Sequence, residues 1–208
     1  MAQLENLMML REQLCLDFMN TVSWHLNKNM YGEYLTSYSV FVKWCHLRGI
    51  INRKQANFFA EESRKRSLET TEVYQRVIKL RESVFRILLA VIDKDSPKQT
   101  DFDLLNSEIE RMLPLYRLKY VDQRFIWENI GDTTNLDWML SIIVQNITEF
   151  LTSDQLGRLK VCSDDNCGWL FVDMSKNKSR RWCSMKDCGN RAKARRHYSK
   201  KNRSSDKI

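Results

Sequence analysis

Four of the chain's six cysteines lie near its C-terminus as two pairs with the pattern C-x4-C-x15-C-x4-C. They are Cys162, Cys167, Cys183 and Cys188. Each short gap lets one turn present two thiolates, and the spacer lets the second pair complete a tetrahedral cage, as a structural zinc site requires. Four buried thiols are the alternative. The segment has few apolar residues from which to build a core, and units this small generally need a metal, so we expect one zinc ion.

Such a zinc ion would supply folding energy rather than chemistry, because four protein ligands leave no coordination position for water. The sequence contains no glycine-rich phosphate loop, no G-x-S-x-G elbow and no H-E-x-x-H motif. Its three histidines, His25, His46 and His197, are too scattered to indicate a catalytic triad or a second metal site. We therefore do not expect an enzyme.

The positive charge of the chain is concentrated in its last part. From Lys160 to the end there are 14 Lys and Arg against 5 Asp and Glu, whereas the first 159 residues are close to neutral. Four thiolates with one zinc ion subtract only two charges, so the segment still favours a polyanionic partner. The alternative is a solvated tail that provides solubility.

The first part of the chain reads mainly as helices. A helical face of apolar residues predicts a helix over 37–48, with Gly49 as its stop, and a second helix opens after Asn52. A broad apolar stripe follows the capping candidates Thr70 and Thr71. Alternating residues over 115–127, interrupted by Asp122 and Gln123, predict a β-hairpin. Further helices are predicted over 101–112 and 136–151.

The sequence shows no feature of a secreted or membrane protein. The N-terminal segment lacks a basic stretch before an apolar run, and charges interrupt it. The most apolar segment, 136–151, contains Asp137 and Glu149 and is shorter than the ~20 residues of a membrane span. We expect a cytoplasmic protein with two domains, 1–155 and 156–208, and no membrane association; reduced thiols there favour metal binding over disulfides.

Two stretches resemble a known family. The segment CGWLFVDMSKNKSRRWCSMKDCGNRAKARRHY, which begins at Cys167, resembles the CGNR zinc finger, named for residues 188–191 of this chain. The segment LCLDFMNT over 14–21 resembles the opening motif of the ABATE domain, which precedes this finger in a family of stress-induced transcription regulators. The resemblance implies a treble-clef finger, made of a hairpin and a basic helix, whose last ligand lies at the start of that helix.

A helix over 189–203 would carry a basic face. At ~100° per residue, Lys193, Arg196, Lys200 and Arg203 fall within an arc of about 80°. Such a helix, anchored by zinc, can follow a phosphate backbone. Arg191 has an equally good alternative role, which is to bind carbonyl groups of the finger. We interpret Trp169 and Trp182 as core residues of the finger rather than stacking platforms. The candidate DNA-binding residues are Arg180, Arg181, Arg191, Lys193, Arg195, Arg196, Lys200, Lys201 and Arg203.

Polar residues of the N-terminal motif are candidates for a ligand pocket. If 14–21 is helical, Asp17, Asn20 and Thr21 share a face beside apolar neighbours and could orient a small-molecule effector. They could equally satisfy backbone groups inside the fold. Cys15 and Cys45 lie among apolar residues and are interpreted as core thiols.

Together these features predict a mainly α chain with a helical sensor or interaction domain and a zinc finger. We expect a bacterial-type, zinc-dependent transcriptional regulator that binds nucleic acid. Phosphate contacts carry no sequence information, so only the family resemblance favours duplex DNA. The alternative is an adaptor whose finger docks to RNA or to an acidic protein, since one fold serves all of these uses. No heptad pattern indicates an oligomeric state.

Overall fold

The computed structural model describes residues 14–27, 29–165 and 167–196, and these divide into two compact units. Among the described residues, the helical unit comprises 14–21 together with Tyr34–Ser153. The finger unit comprises those within Val22–Glu33 and 154–196. The sequence predicts two domains that are each continuous in the chain. In the structure, the finger unit includes the segment Val22–Glu33 from the N-terminal part of the chain.

Helices form most of the helical unit, and each helix predicted from the sequence is present. Between residues 38 and 151 the helices begin within about two residues of the predicted positions, with one exception described below. They are α1 (14–19), α2 (Tyr38–Leu47), α3 (Arg53–Lys65), α4 (Ser67–Asp93), α5 (Gln99–Met112) and α6 (Trp138–Leu151).

Side chains at the helix starts explain where α2 and α3 begin. The Ser37 hydroxyl accepts a hydrogen bond from the backbone N–H of Val40 at 3.3 Å. Asn52 and Gln55 form a capping box, in which each side chain accepts from the other residue's backbone N–H, at 2.9 and 3.0 Å. These bonds satisfy donors that a helix N-terminus otherwise leaves unpaired.

The predicted start of α4 is wrong. The helix begins at Ser67, and Thr70 and Thr71 lie inside its first turns. Their hydroxyls donate to the Ser67 carbonyl oxygen at 3.0 and 2.8 Å instead of capping the helix. Threonine makes both kinds of bond, so its presence near a helix start does not fix the first residue.

The core of the helical unit is mainly apolar, with the fully buried Arg81 as an exception, and it involves several helices. Phe18 of α1, Phe41 of α2, Leu80 of α4 and Ile143 of α6 are each fully buried. The apolar stripe predicted along α4 is the buried face of that helix, and α6 is buried around most of its circumference. None of the described helices has the length and apolarity that crossing a bilayer requires.

The predicted hairpin is present and projects apolar side chains. Strand β3 (Tyr116–Val121) pairs antiparallel with β4 (Arg124–Asn129). The connecting residues Asp122 and Gln123 both have positive φ, 49° and 59°, as a two-residue type I′ turn requires. Most side chains of both strands are exposed.

The finger unit contains two short antiparallel hairpins and a helical segment. Strand β1 (Val22–Ser23) pairs with β2 (Gly32–Glu33), and β5 (Leu159–Val161) pairs with β6 (Leu170–Val172). A π-helical turn, Met185–Gly189, leads into a helical segment over 190–196, which we name α7. The predicted helix over 189–203 is therefore present as far as residue 196, and the remainder lies outside the described residues.

Candidate metal centre

The first cysteine pair lies on the loop that joins β5 to β6. Cys162 follows β5 directly, and its backbone N–H donates to the Trp169 carbonyl at 2.9 Å. Cys167 closes the turn by donating from its N–H to the Asp164 carbonyl at 2.8 Å. Gly168 follows with a φ of +71°, and a Cβ there would lie 2.9 Å from the Leu26 nitrogen. Glycine therefore suits residue 168, because a side chain there would be strained by the positive φ and would meet the Leu26 backbone.

The second pair lies at the start of the helical segment. Cys183 precedes Ser184, whose hydroxyl caps the turn by accepting from the Asp187 N–H at 3.3 Å. Cys188 lies in that turn and is buried, and the Gly189 N–H donates to the Ser184 carbonyl at 3.0 Å. The cap thus fixes where the chain becomes helical and directs the last thiol to the other three.

The four sulfur atoms have the spacing of a tetrahedral zinc site. All four Sγ atoms lie within 4.8 Å of one another, with Cys167 to Cys183 at 3.7 Å and Cys183 to Cys188 at 3.6 Å. Zn–S bonds of about 2.3 Å in tetrahedral geometry separate sulfur ligands by about 3.8 Å. The predicted zinc ligands are therefore together, and the donor set fits one structural zinc ion.

Without a metal, the clustered thiols compete for protons. A hydrogen bond from Cys183 lowers the pKa of Cys167 to about 6, and donating that bond raises the pKa of Cys183 well above its usual range. Burial raises the pKa of Cys188 to about 12. One thiolate is thus favoured and further ones are resisted, because like charges would crowd together. A divalent cation removes this penalty and releases the remaining protons.

The Asp164 carboxylate joins the first cysteine loop to α7. Its side chain is fully buried, and it accepts from Arg191 Nε at 3.0 Å and from Arg195 at 2.8 Å. The Arg191 guanidinium also donates to Cys188 Sγ at 3.0 Å and lies 5.3 Å from the centre of the Trp24 ring. Such contacts orient a ligand and offset its charge. Arg191 thus binds a carboxylate and a zinc ligand, rather than the carbonyl groups that the sequence alternative named.

A second buried carboxylate, Asp173, organises the loop between β6 and the second cysteine pair. It accepts from Lys160 Nζ at 2.6 Å, from the Ser175 hydroxyl at 2.6 Å and from the Arg180 N–H at 2.9 Å. Burial opposes ionisation, but these donors outweigh it and hold the pKa of Asp173 well below its ordinary value. The loop is therefore held by internal charge pairing.

The predicted DNA-binding residues fall into three groups. Arg180, Arg191 and Arg195 are bound within the finger: Arg180 donates to the carbonyls of Trp182 and Cys183. Lys193 and Arg196 are exposed and form no ion pair with other described residues, and Arg181 is exposed with its guanidinium 5.5 Å from the Trp182 ring centre. Outside the described residues lie Lys200, Lys201 and Arg203.

The two tryptophans of the finger have the predicted core role. Trp169 and Trp182 pack against a buried cluster made by three of the cysteines and Phe171. The Trp169 indole N–H also donates to the Val22 carbonyl at 2.7 Å, which attaches the segment 22–33 to the finger.

The candidate ligand residues of the N-terminal motif make internal contacts. Asp17 forms an ion pair with Arg48 at 3.1 Å. The buried Thr21 hydroxyl donates to the Phe18 carbonyl at 2.7 Å and accepts from the fully buried Arg81 at 3.0 Å. Asn20 is half-buried. A cleft of the helical unit lies elsewhere, lined by Arg76, Glu108, Arg111, Met112, Leu115, Asp137, Leu140, Ser141 and Val144.

Sequence reasoning missed Asp164, Asp173 and Trp24. Asp164 lies among polar residues in the sequence and Asp173 follows an apolar strand, and an aspartate at either kind of position usually faces solvent. Trp24 lies more than a hundred residues from the four clustered cysteines, so no local pattern connects it with them. Only the position of Asp164 between the first two ligands offered a signal.

Four clustered cysteine sulfurs, two short hairpins and a helical turn that holds the last ligand define a zinc finger with a structural metal centre. Sequence comparison agrees. Residues 158–201 match the CGNR zinc finger.

Residues 12–154 match the ABATE family, which carries the description "Putative stress-induced transcription regulator". This match spans more than half of the chain, so the chain belongs to the ABATE family, as its N-terminal motif predicts. A search of the curated proteins finds no match to the chain.

Proposed function

We propose that this chain is a zinc-dependent transcriptional regulator whose finger unit binds duplex DNA. The observation that carries the proposal is that some cations of α7 are bound to a buried carboxylate and others are exposed. Arg191 and Arg195 are bound to the buried Asp164, whereas Lys193 and Arg196 are exposed without an ion-pair partner among the described residues. Cations on a segment fixed by metal and carboxylate are suited to a phosphate backbone.

Arg181 extends this surface, and Lys200, Lys201 and Arg203 remain predicted additions to it. These residues would fix the position of the finger on the duplex but would not read bases. DNA is preferred to RNA because the chain belongs to a family described as transcription regulators. RNA or an acidic protein is the competing partner.

The helical unit has the sensing or interaction role in this proposal, and the protein acts in the cytoplasm. A small effector bound near Asp17, Asn20 and Thr21 would have to compete with the contacts to Arg48 and Arg81. We assign no enzymatic activity, because the metal centre has four protein ligands and therefore no position for a substrate or water.

Salt dependence of binding tests the proposal. We expect the full-length, zinc-loaded chain to bind duplex DNA with an affinity that falls steeply with salt in fluorescence anisotropy titrations. Lys193→Ala and Arg196→Ala should each weaken binding to all sequences and reduce the slope of log K against log salt by about 1.

Lys79→Ala is the matched control, because Lys79 is an exposed lysine of α4 in the helical unit. It should leave both affinity and slope unchanged. Absence of salt-dependent binding to any duplex contradicts the proposal. Binding to RNA that duplex DNA cannot compete away would favour the adaptor.

A further inference from the structure

The outer edge of β4 is open and unusually apolar. Phe125 is 70% exposed, Trp127 46% and Ile126 41%. Among the described residues, neither β3 nor β4 pairs with a strand other than its hairpin partner. A two-stranded hairpin is only marginally stable in water, and an exposed apolar edge is a template for pairing with another strand.

The turn determines which backbone groups this edge offers. The two-residue turn closes on Val121 and Arg124, so these two form a hydrogen-bonded pair, and such pairs alternate along the hairpin. Ile126 and Glu128 therefore direct their N–H and C=O groups to β3. Phe125 and Trp127 direct theirs outward, where an added strand can bind them.

We propose that β4 pairs antiparallel with β4 of a second copy of this chain, about a two-fold axis at Ile126. In this register Phe125 lies opposite Trp127 of the second copy, so that the outward backbone groups bond and the exposed rings cover one another. Arg124 lies opposite Glu128 of the second copy, and symmetry repeats this pair. Opposite charges in directly facing positions stabilise a sheet.

The charge pattern selects this register from the others that antiparallel geometry permits. An axis at Phe125 or at Trp127 leaves a charged residue facing Ile126. An axis at Arg124 or Glu128 places like charges opposite each other, which is destabilising. Only the axis at Ile126 pairs both charges with opposite ones.

The edge of β3 does not offer the same interaction. An axis at Leu118 would place Arg117 opposite Lys119 of the second copy, and an axis at Lys119 would place that lysine opposite itself. Lysine on an edge strand is a common protection against such pairing. Charge complementarity therefore assigns the contact to β4.

Sedimentation of the full-length, zinc-loaded chain without DNA tests the proposal independently of DNA binding. We expect a concentration-dependent monomer–dimer equilibrium. Arg124→Glu, which alters an exposed residue, creates two like-charge pairs and should weaken association about tenfold. A chain that stays monomeric at all accessible concentrations overturns the proposal.

A complementary variant distinguishes a lost contact from a damaged hairpin. Glu128 faces Arg117 across the hairpin and forms an ion pair with Lys119 at 2.6 Å, and the triple variant R117E/K119E/E128R retains both attractions with the charges exchanged. This variant should also associate poorly by itself, because Arg124 then faces an arginine. Mixed with Arg124→Glu, this variant should form heterodimers, because residues 124 and 128 of the two copies then carry opposite charges in both facing pairs. Failure of this rescue contradicts the register.

Disulfide trapping tests the position of the axis. Facing residues in a pair without mutual hydrogen bonds have Cα atoms about 4.5 Å apart, within the range of a disulfide. Ile126→Cys should therefore cross-link to itself on mild oxidation. Lys119→Cys, directly opposite Ile126 on the other strand, is the control and should stay monomeric on non-reducing gels. Equal cross-linking of both variants overturns the proposal.

Discussion

The two units of this protein obtain stability in different ways. The helical unit buries large apolar side chains such as Phe41, Leu80 and Ile143. Among its described residues, the finger unit has a small buried cluster in which three of the four members are cysteines. It compensates with a metal and with two fully buried carboxylates, Asp164 and Asp173, each bound by cations.

This difference shows what a small unit needs when apolar area is scarce. Burying a carboxylate is unfavourable unless charge and hydrogen bonds compensate, so Asp164 and Asp173 are useful only as members of complete networks. The zinc ion supplies the largest single contribution, since structural zinc in finger peptides binds with about 10–16 kcal/mol. A change that destabilises one unit should therefore leave the other unit intact.

Loss of the metal should have the largest effect. Cys188→Ser, or a strong chelator, should abolish stoichiometric zinc and unfold the finger unit, because most of its folding energy is metal binding. The helical unit should retain its ellipticity at 222 nm and its thermal transition. Cys45→Ala removes a buried thiol of α2 and should leave one zinc per chain. Zinc retained by Cys188→Ser would contradict the assigned ligand set.

Acid should also affect the two units at different pH values. As the pH falls, the finger unit should lose zinc before the helical unit unfolds. Zinc requires thiolates, and Cys183 and Cys188 have raised pKa values without metal, so affinity falls as pH falls; Cys167 adds to this below its pKa of about 6. In the helical unit a hydrogen bond from Arg86 lowers the pKa of Asp101. Unfolding raises the pKa of Asp101, so the ionised carboxylate stabilises the helical unit above about pH 4, and this stabilisation is lost below that pH.

A pH series from 8 to 3 measures both events. Zinc release to a chromogenic chelator should precede loss of helical ellipticity. Asp101→Asn should destabilise the helical unit at neutral pH, and the difference from the wild type should shrink below pH 4, with zinc release unchanged. Helix loss at a higher pH than zinc release would contradict the comparison.

A cavity in the apolar core should affect only the helical unit. Leu80→Ala removes a fully buried side chain of α4 and should lower the free energy of unfolding of this unit by about 2–5 kcal/mol. Leu68→Ala, in the same helix at a residue 81% exposed, should change it by less than about 0.5 kcal/mol. Urea titrations measure both, and zinc content should be normal in each.

Loss of a buried carboxylate should have a smaller effect, confined to the finger unit. Asp164→Ala removes the acceptor shared by Arg191 and Arg195. Because those guanidiniums are about half exposed, water can replace part of what they lose, and we expect a cost of about 1–3 kcal/mol. Zinc release should be faster. Asp165→Ala, at the neighbouring exposed residue, should leave the rate unchanged.

Much of the fold and the metal centre could be predicted from local patterns. Apolar periodicity identified α2 and α4, a stretch that is apolar nearly all round identified α6, and cysteine spacing identified the four ligands. These signals all depend on residues close in sequence. None of them reveals the pairing of Asp164 with Arg191 or the attachment of Trp24 and Val22 to the finger. Those contacts join segments far apart in the chain, and polar partners have no periodicity.

Within α7, too, local patterns predict some features, whereas others depend on contacts with distant residues. Helical periodicity groups Lys193 with Arg196 on one face, but charge alone did not distinguish them from Arg195, which binds Asp164. Charge predicts that a polyanion is attracted. Which cations remain available depends on where the buried carboxylates lie.

The smallest predicted effect concerns the turn of the β3–β4 hairpin. Gln123 has a φ of 59°, and a residue with a Cβ pays about 1–2 kcal/mol in the left-handed region, which glycine avoids. Gln123→Gly should therefore raise the free energy of unfolding of the helical unit by about 0.5–1 kcal/mol, since glycine also gains freedom in the unfolded chain. Asp122→Gly should gain less, because aspartate tolerates this conformation better. Urea midpoints that fall for Gln123→Gly would contradict the type I′ turn, and a shift in the finger's zinc release would contradict the independence of the two units.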